Sequence, residues 1–271
     1  MKKITLSKNF ARKGIGISLL LYLLVGWIFY ANQDRLIFRS TVIATTSRLQ
    51  ITQAHQEISI PINQEDTLHI TRFITTQPAK GAILYFHGNR QNVEWYAKYS
   101  SLFTDNGYEV FMLDYPGYGK SRGTLNEEKI YQWSDIVYSI ARKSYTASQL
   151  IIYGKSLGSG IAAQLAAKRD CRQLILETPY YDFPSVLSFY APIYPFQRLL
   201  HYQFPTNAFL QKVTAPVLLL HGTADGVVRY NNSIRLSNQF KKGDQLITIE
   251  SGSHNDLYEF SDAIAALKKL L

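Results

Sequence analysis

Six short, almost wholly apolar runs recur through the second two thirds of the chain, and they constrain the fold more than any other feature. They read GAILYFHG (81–88), EVFMLD (109–114), QLIIYG (149–154), QLILETP (173–179), APVLLLHG (215–222) and QLITIE (245–250). Runs of this length, rich in Ile, Leu and Val and lacking a polar face, read as strands buried on both sides of a parallel sheet. Two more, Glu57–Ile62 and Leu68–Ile74, flank the polar turn Asn63-Gln64-Glu65-Asp66 and read as an antiparallel pair. Between the runs lie helical stretches at Asn92–Thr104, Asn126–Lys143, Ser156–Lys168, Tyr230–Phe240 and Asn255–Leu270. Asn126 before Glu127 and Glu128 is a helix-start signal, and Gly243 suits a helix exit. The alternation predicts an α/β domain over residues 57–271, a doubly wound, mostly parallel sheet with helices on both faces.

Residues 180–214 break the rhythm. They are dense in Tyr, Phe and Pro and contain no strand pattern. An insertion of this kind between two strands predicts a small apolar cap over the sheet's C-terminal edge, where ligand crevices of open α/β sheets lie. The plainer alternative is a pair of surface helices packed on the core.

The N-terminus has a different character. Lys2, Lys3, Lys8, Arg12 and Lys13 form a basic flank over residues 1–13, and residues 14–31, GIGISLLLYLLVGWIFYA, carry no charge. Eighteen helical residues span roughly 27 Å, close to the thickness of a bilayer core. Trp27 and Tyr30 are residue types that settle at a lipid–water boundary. The reading is one uncleaved transmembrane helix, followed by a linker over 32–56. Cleavage after Ala31 would place the bulky Phe29 at −3, a poor fit to a signal-peptide site. The basic flank puts the N-terminus in the cytoplasm and the domain on the far side, whether periplasmic, extracytoplasmic or lumenal. Net charge is +9, of which these five residues supply more than half, so the basic balance does not point to nucleic acid. Cys171 is the sole cysteine, which excludes an intramolecular disulfide and a cysteine-based zinc site.

The chemistry gathers around Gly154-Lys155-Ser156-Leu157-Gly158. A strand runs in and a helix runs out, the setting a G-x-S-x-G turn requires. Such a turn leaves no room for bulk two residues either side of the serine, and it lifts the hydroxyl to the tip at a helix N-terminus. The Gly-Lys-Ser run also invites a phosphate-loop reading, but that loop needs glycine at 149, where Gln149 stands. For Gly119-Lys120-Ser121 the corresponding residue is Asp114. Serine needs a base, and the base an orienting acid. His254 follows the last strand and Asp225 follows the strand before it, so Ser156, Asp225 and His254 all fall at the C-terminal edge of the sheet.

Here the sequence resembles the α/β-hydrolase family, in a single-span, membrane-anchored branch with a serine-aminopeptidase-like domain. The motifs are HGN (87–89), DYPGYGKS (114–121), GKSLG (154–158), HGTADGVV (221–228) and SGSHND (251–256). Arg229 stands where relatives often have proline, a difference that bears on loop shape. Rival bases are His87 and His221; rival acids are Glu177 and Asp182. His55, His69 and His201 read as ordinary surface or core residues, and Asp114 as a residue that fixes its loop. The resemblance implies an oxyanion hole from the backbone N–H of Leu157 and of Asn89, with Arg90 the alternative to Asn89. Lys155 reads as a residue that points along the flank of the elbow, with a bias of the site toward anionic substrates as the alternative.

The expected activity is that of a membrane-anchored serine hydrolase, acting through an acyl-enzyme on a carboxylic ester, with a small-molecule or lipid-like acyl substrate and no metal or organic cofactor. Peptidase or amidase chemistry on the same three residues, and a catalytically silent hydrolase fold that only binds, are the alternatives.

Overall fold

A computed structural model describes residues 8–271; Lys2 and Lys3 of the basic flank lie outside the described residues. The body is an eight-stranded sheet. Its strands are β1 His55–Pro61, β2 Thr67–Phe73, β3 Gly81–Phe86, β4 Tyr108–Asp114, β5 Leu150–Lys155, β6 Gln173–Glu177, β7 Val217–Gly222 and β8 Gln245–Ile249. They are ordered β8-β7-β6-β5-β3-β4-β2-β1. The pairs β1–β2 and β2–β4 are antiparallel, and the rest are parallel. Every residue of β3, β4, β5, β6 and β7 is buried, as their apolar composition requires. Alternate side chains feed two cores, one around Leu84, Ile152 and Leu176, the other around Ile83, Ile151 and Ile175.

The helices of five or more residues are α1 Lys8–Ile37, α2 Glu127–Ala141, α3 Leu157–Lys168, α4 Phe183–Tyr190, α5 Thr206–Leu210, α6 Asn231–Ser237 and α7 Ser261–Leu270. Asn126 caps α2 by accepting from the Lys129 N–H. The expected helix over 92–104 is instead a chain of short turns, α-helical at Val93–Tyr96 and Ser101–Thr104 with a 3₁₀ turn between. Gly243, at φ 100°, lies in the turn into β8, not at the exit of α6, which ends at Ser237.

Residues 180–214 divide in two. α4 hangs over the C-terminal edge of the sheet. α5 lies on α3, where Tyr180 Oη donates to the Leu157 carbonyl at 3.0 Å and the close approach of Tyr180 and Phe204 leaves room only for glycine at Gly160.

Two sequence expectations need revision at the N-terminus. The helix does not stop at Ala31 but runs to Ile37. Within it Arg12–Ile37, 26 residues, is long and apolar enough to cross a membrane. Its last turns are held by the body: Gln33 is buried, donates to the Leu199 carbonyl at 3.2 Å and accepts from the His201 N–H at 2.8 Å. Nor is 32–56 a free linker. Arg39–Ser40 pairs in parallel with Arg90–Gln91, the Thr41 carbonyl accepts from Gly119 N–H and Asn92 Nδ2, and Leu49 is buried. These partners lie fifty or more residues along the chain, so no local pattern announces them.

Candidate active site

Strand β5 ends at Lys155, helix α3 starts at Leu157, and Ser156 makes the turn with φ 51° and ψ −117°. A non-glycine residue in that region is strained and persists only where its surroundings hold it. The hold is visible. The Ser156 N–H donates to the Glu177 carbonyl at 2.9 Å, and Ser159 Oγ donates to the Ser156 carbonyl at 2.7 Å. A Cβ on Gly154 would fall against the Gly158 carbonyl, and one on Gly158 against the Phe86 carbonyl, so neither position tolerates a side chain.

Ser156 Oγ lies 2.9 Å from His254 Nε2, and His254 Nδ1 lies 2.7 Å from Asp225 Oδ2. The loop after β8 and the loop after β7 thus bring the three residues into one hydrogen-bonded chain, nearly buried at its serine end. Asp225 Oδ1 accepts from the Val227 and Val228 N–H groups at 2.8 Å each. Burial by itself would raise the Asp225 carboxyl, but hydrogen bonds from His221, His254 and the Val227 backbone outweigh it and hold the group well below the usual carboxylate range. His221 Nε2 sits 3.2 Å from Asp225 Oδ2 and 2.8 Å from the Val228 carbonyl, with Ser233 Oγ 2.6 Å from its other nitrogen. Its orienting contact with the carboxylate was invisible in the sequence, where it read as a rival base.

The rival residues are occupied elsewhere. Glu177 accepts from Tyr153 and Tyr258 hydroxyls at 2.7 and 2.8 Å and forms a buried ion pair with Lys155, and Asp182 caps α4 through the Ser185 N–H. Lys155 therefore does not offer its charge to a ligand: it is 1% exposed, and its Nζ also donates to the His254 carbonyl at 3.1 Å. A glutamate directly after the apolar run Leu174–Leu176 was the one clue to this pair. His87 is fully buried, with Nδ1 2.7 Å from the Gly88 carbonyl, and burial pushes it down to about 4. Asp114 accepts from the Val93 N–H at 2.9 Å; burial pushes it up to about 7. Arg229 stacks on the Phe189 ring, 3.6 Å from its centre.

Leu157 is the first residue of α3, so its N–H has no carbonyl one turn back to bond. Asn89 lies across the same cavity from Ser156. Arg90, the alternative donor, borders the same cavity. Two cavities meet at Ser156. One, about 300 Å³, is lined by polar and aromatic groups including Gln91, Trp95, Tyr96 and Asn255. The other, about 400 Å³, is lined chiefly by apolar side chains from α1 and α4. Both border Arg90, and among the described residues neither is lined by Asp or Glu. Nor do the described residues gather three or more His, Cys, Asp or Glu side chains as metal ligands would be gathered.

The family model described as "Serine aminopeptidase, S33" matches residues 77–209. "Alpha/beta hydrolase domain-containing protein 17C" of Xenopus tropicalis is 27% identical over 205 residues, covering 73% of this chain and 64% of that protein. The human protein of the same name is likewise 27% identical, with 60% of its length covered. Among solved structures, an esterase of Pyrococcus furiosus superposes with a TM-score of 0.67 at 14% identity, over 87% of this chain and 97% of that one. A soluble variant of monoglyceride lipase from Saccharomyces cerevisiae, bound to a substrate analogue, gives 0.59 at 16% identity, over 83% and 96%. At such identities the structural matches speak to the fold.

Proposed function

The chain belongs to the α/β-hydrolase family, and from that premise we propose that it is a membrane-anchored serine hydrolase that cleaves carboxylic esters. The observation that carries the reading is the unbroken chain Ser156 Oγ, His254, Asp225, with links of 2.9 and 2.7 Å. In this reading His254 Nε2 takes the hydroxyl proton as Oγ attacks the ester carbonyl. The oxyanion receives the N–H groups of Leu157 and Asn89. His254 then passes its proton to the departing alcohol as the C–O bond breaks, leaving an acyl-enzyme. Water, deprotonated by His254, adds to the acyl carbon, and the carboxylic acid leaves with Ser156 restored. Asp225 holds the imidazole tautomer and balances its transient charge.

The family description favours an aminopeptidase as the second reading. The lining of the two cavities argues against it: an α-ammonium group needs an anion to meet it, and the Asp, Glu, Lys and Arg side chains bordering the cavities are the cations Arg39, Arg90 and Lys155. Ester substrates need no such anion. The long apolar stretch of α1 supports membrane anchoring, and the basic flank supports a cytoplasmic N-terminus with the domain on the opposite side.

A fluorophosphonate probe tests the mechanism. The reading expects labelling of the full-length protein that disappears in Ser156→Ala; absence of labelling in the wild type would favour a silent, binding-only fold. p-Nitrophenyl esters set beside aminoacyl-anilides separate esterase from peptidase. A reporter fused at the C-terminus reads the sidedness.

A further inference from the structure

The apolar cavity beside Ser156 is not made by the hydrolase body alone. One wall is α1: Phe29, Leu36 and Ile37 line it, facing Phe183, Leu187 and Tyr190 of the cap. α1 is seated on the cap along one stripe, at Tyr22, Gly26, Phe29, Gln33 and Ile37, the three- and four-residue spacing of a single helix face. Tyr22 stacks on Tyr194 with ring centres 4.7 Å apart, and its hydroxyl donates to the Ile193 carbonyl at 3.0 Å. Phe29 packs edge-on against Phe196 at 5.4 Å. A Cβ at Gly26 would stand 3.1 Å from the Tyr194 ring, so glycine lets the two surfaces meet.

This seating sets the cavity's height relative to a bilayer. Tyr22 lies fifteen residues before Ile37, roughly 22 Å along the helix axis. The tip of the cap therefore stands beside the uncharged part of α1, the part that would occupy lipid. The exposed side chains of α1 and the cap suit that place: Leu36, which lines the cavity, is 51% exposed, Tyr190 beside it is exposed, and so are Trp27 on α1 and Phe189 and Ile193 (69%) in the cap. In water such a patch is costly, and on a soluble protein it would mark a contact surface.

We propose that α1 and the cap together form an acyl-chain pocket that opens to the bilayer, and that the substrate is a membrane lipid ester whose chain enters between α1 and α4. This rests on the serine-hydrolase reading and names its substrate class. The cavity's volume is in the range of small-ligand sites. Its apolar end takes the chain, Ser156 stands at the inner end, and the polar cavity on the far side receives the alcohol portion. The transmembrane helix is then a specificity element as well as an anchor.

The test uses full-length protein in phosphatidylcholine nanodiscs with p-nitrophenyl esters from acetate to myristate. Each methylene that reaches the pocket should raise kcat/KM by up to about fourfold, the ratio equivalent to burying one CH₂. Leu36→Trp fills the mouth at a half-exposed position and should lower the myristate-to-acetate ratio of kcat/KM at least tenfold. A flat chain-length profile in the wild type, or an unchanged ratio in a folded Leu36→Trp protein, would overturn the pocket while Ser156 still labels. If neither an ethyl nor a hexadecyl fluorophosphonate labels Ser156, the serine-hydrolase reading fails and takes this one with it. A hexadecyl fluorophosphonate with a terminal diazirine gives an answer that needs no variant. Crosslinks to residues 29–37, alone or with residues 183–190, support the pocket, and crosslinks confined to segments outside both refute it.

Discussion

Asn89 Nδ2 donates to the carbonyl oxygen of Ile37 at 2.8 Å, and the Arg39 N–H returns a bond to the Asn89 carbonyl at 3.0 Å. The last turn of α1 thus grips the loop proposed to hold one oxyanion donor. A truncation after residue 31 leaves the grip in place, whereas one after residue 41 removes it. In detergent, the longer truncation is expected to lower kcat on a soluble acetate ester by about a hundredfold relative to the shorter, the scale of losing an oxyanion donor. Equal rates would show that the loop holds itself.

Asn89→Ala removes the side-chain half of the grip and leaves the backbone N–H. About a tenfold fall in kcat with little change in KM is expected, since the loss falls on transition-state stabilisation. Steady-state kinetics of variant and wild type decide it.

The Lys155–Glu177 pair is buried behind the nucleophile turn and reaches the His254 carbonyl. Removing one partner strands a buried charge, so Lys155→Met should cost about 3–5 kcal/mol in urea denaturation. Adding Glu177→Gln should restore more than half of that. If the double variant is no more stable than the single one, the pair is not what the lysine is held for.

Asp225 is a depressed carboxylate, so its contribution to stability is full above its unfolded value near 4 and is lost as pH falls through the lower folded value. His221→Phe takes away one of the bonds responsible. Melting profiles between pH 5 and pH 2 should show a smaller rise in stability on going up to pH 4 in the variant, together with about a tenfold lower kcat.

Asp114 has the opposite sign. Its folded-state value is raised to about 7, so between about 4 and 7 the folded protein holds a proton that the unfolded chain releases. Stability attributable to this group falls as pH rises through that window, by at most about 1.4 kcal/mol per unit. Asp114→Asn should flatten the slope between pH 5 and pH 8, measured against the wild type.

What was legible in the sequence follows from what is local. Strands such as Ile151-Ile152-Tyr153 announce themselves because burial on both faces leaves no polar residue in the run. The turn at Ser156 announces itself because only glycine fits at 154 and 158. Asp225 and His254 could be placed because each follows a strand. Gln33 gave no sign, since a glutamine at the end of an apolar helix looks like the start of a linker until Leu199 and His201 come round to meet it. The ion pair of Lys155 gave no sign either, because its partner Glu177 is twenty-two residues away on the next strand.

A protein tied to a bilayer by a limp tether samples a hemisphere of attitudes. One whose anchor is stepped into its body at Tyr22, Gly26 and Gln33 has a single attitude, like a mast fixed in a hull. Placed in a bilayer, and with the lipid ester proposed above as its substrate, such a protein would meet that substrate by lateral diffusion in two dimensions. Turnover then follows the mole fraction of substrate in the surface, and diluting the vesicles at constant composition leaves it unchanged.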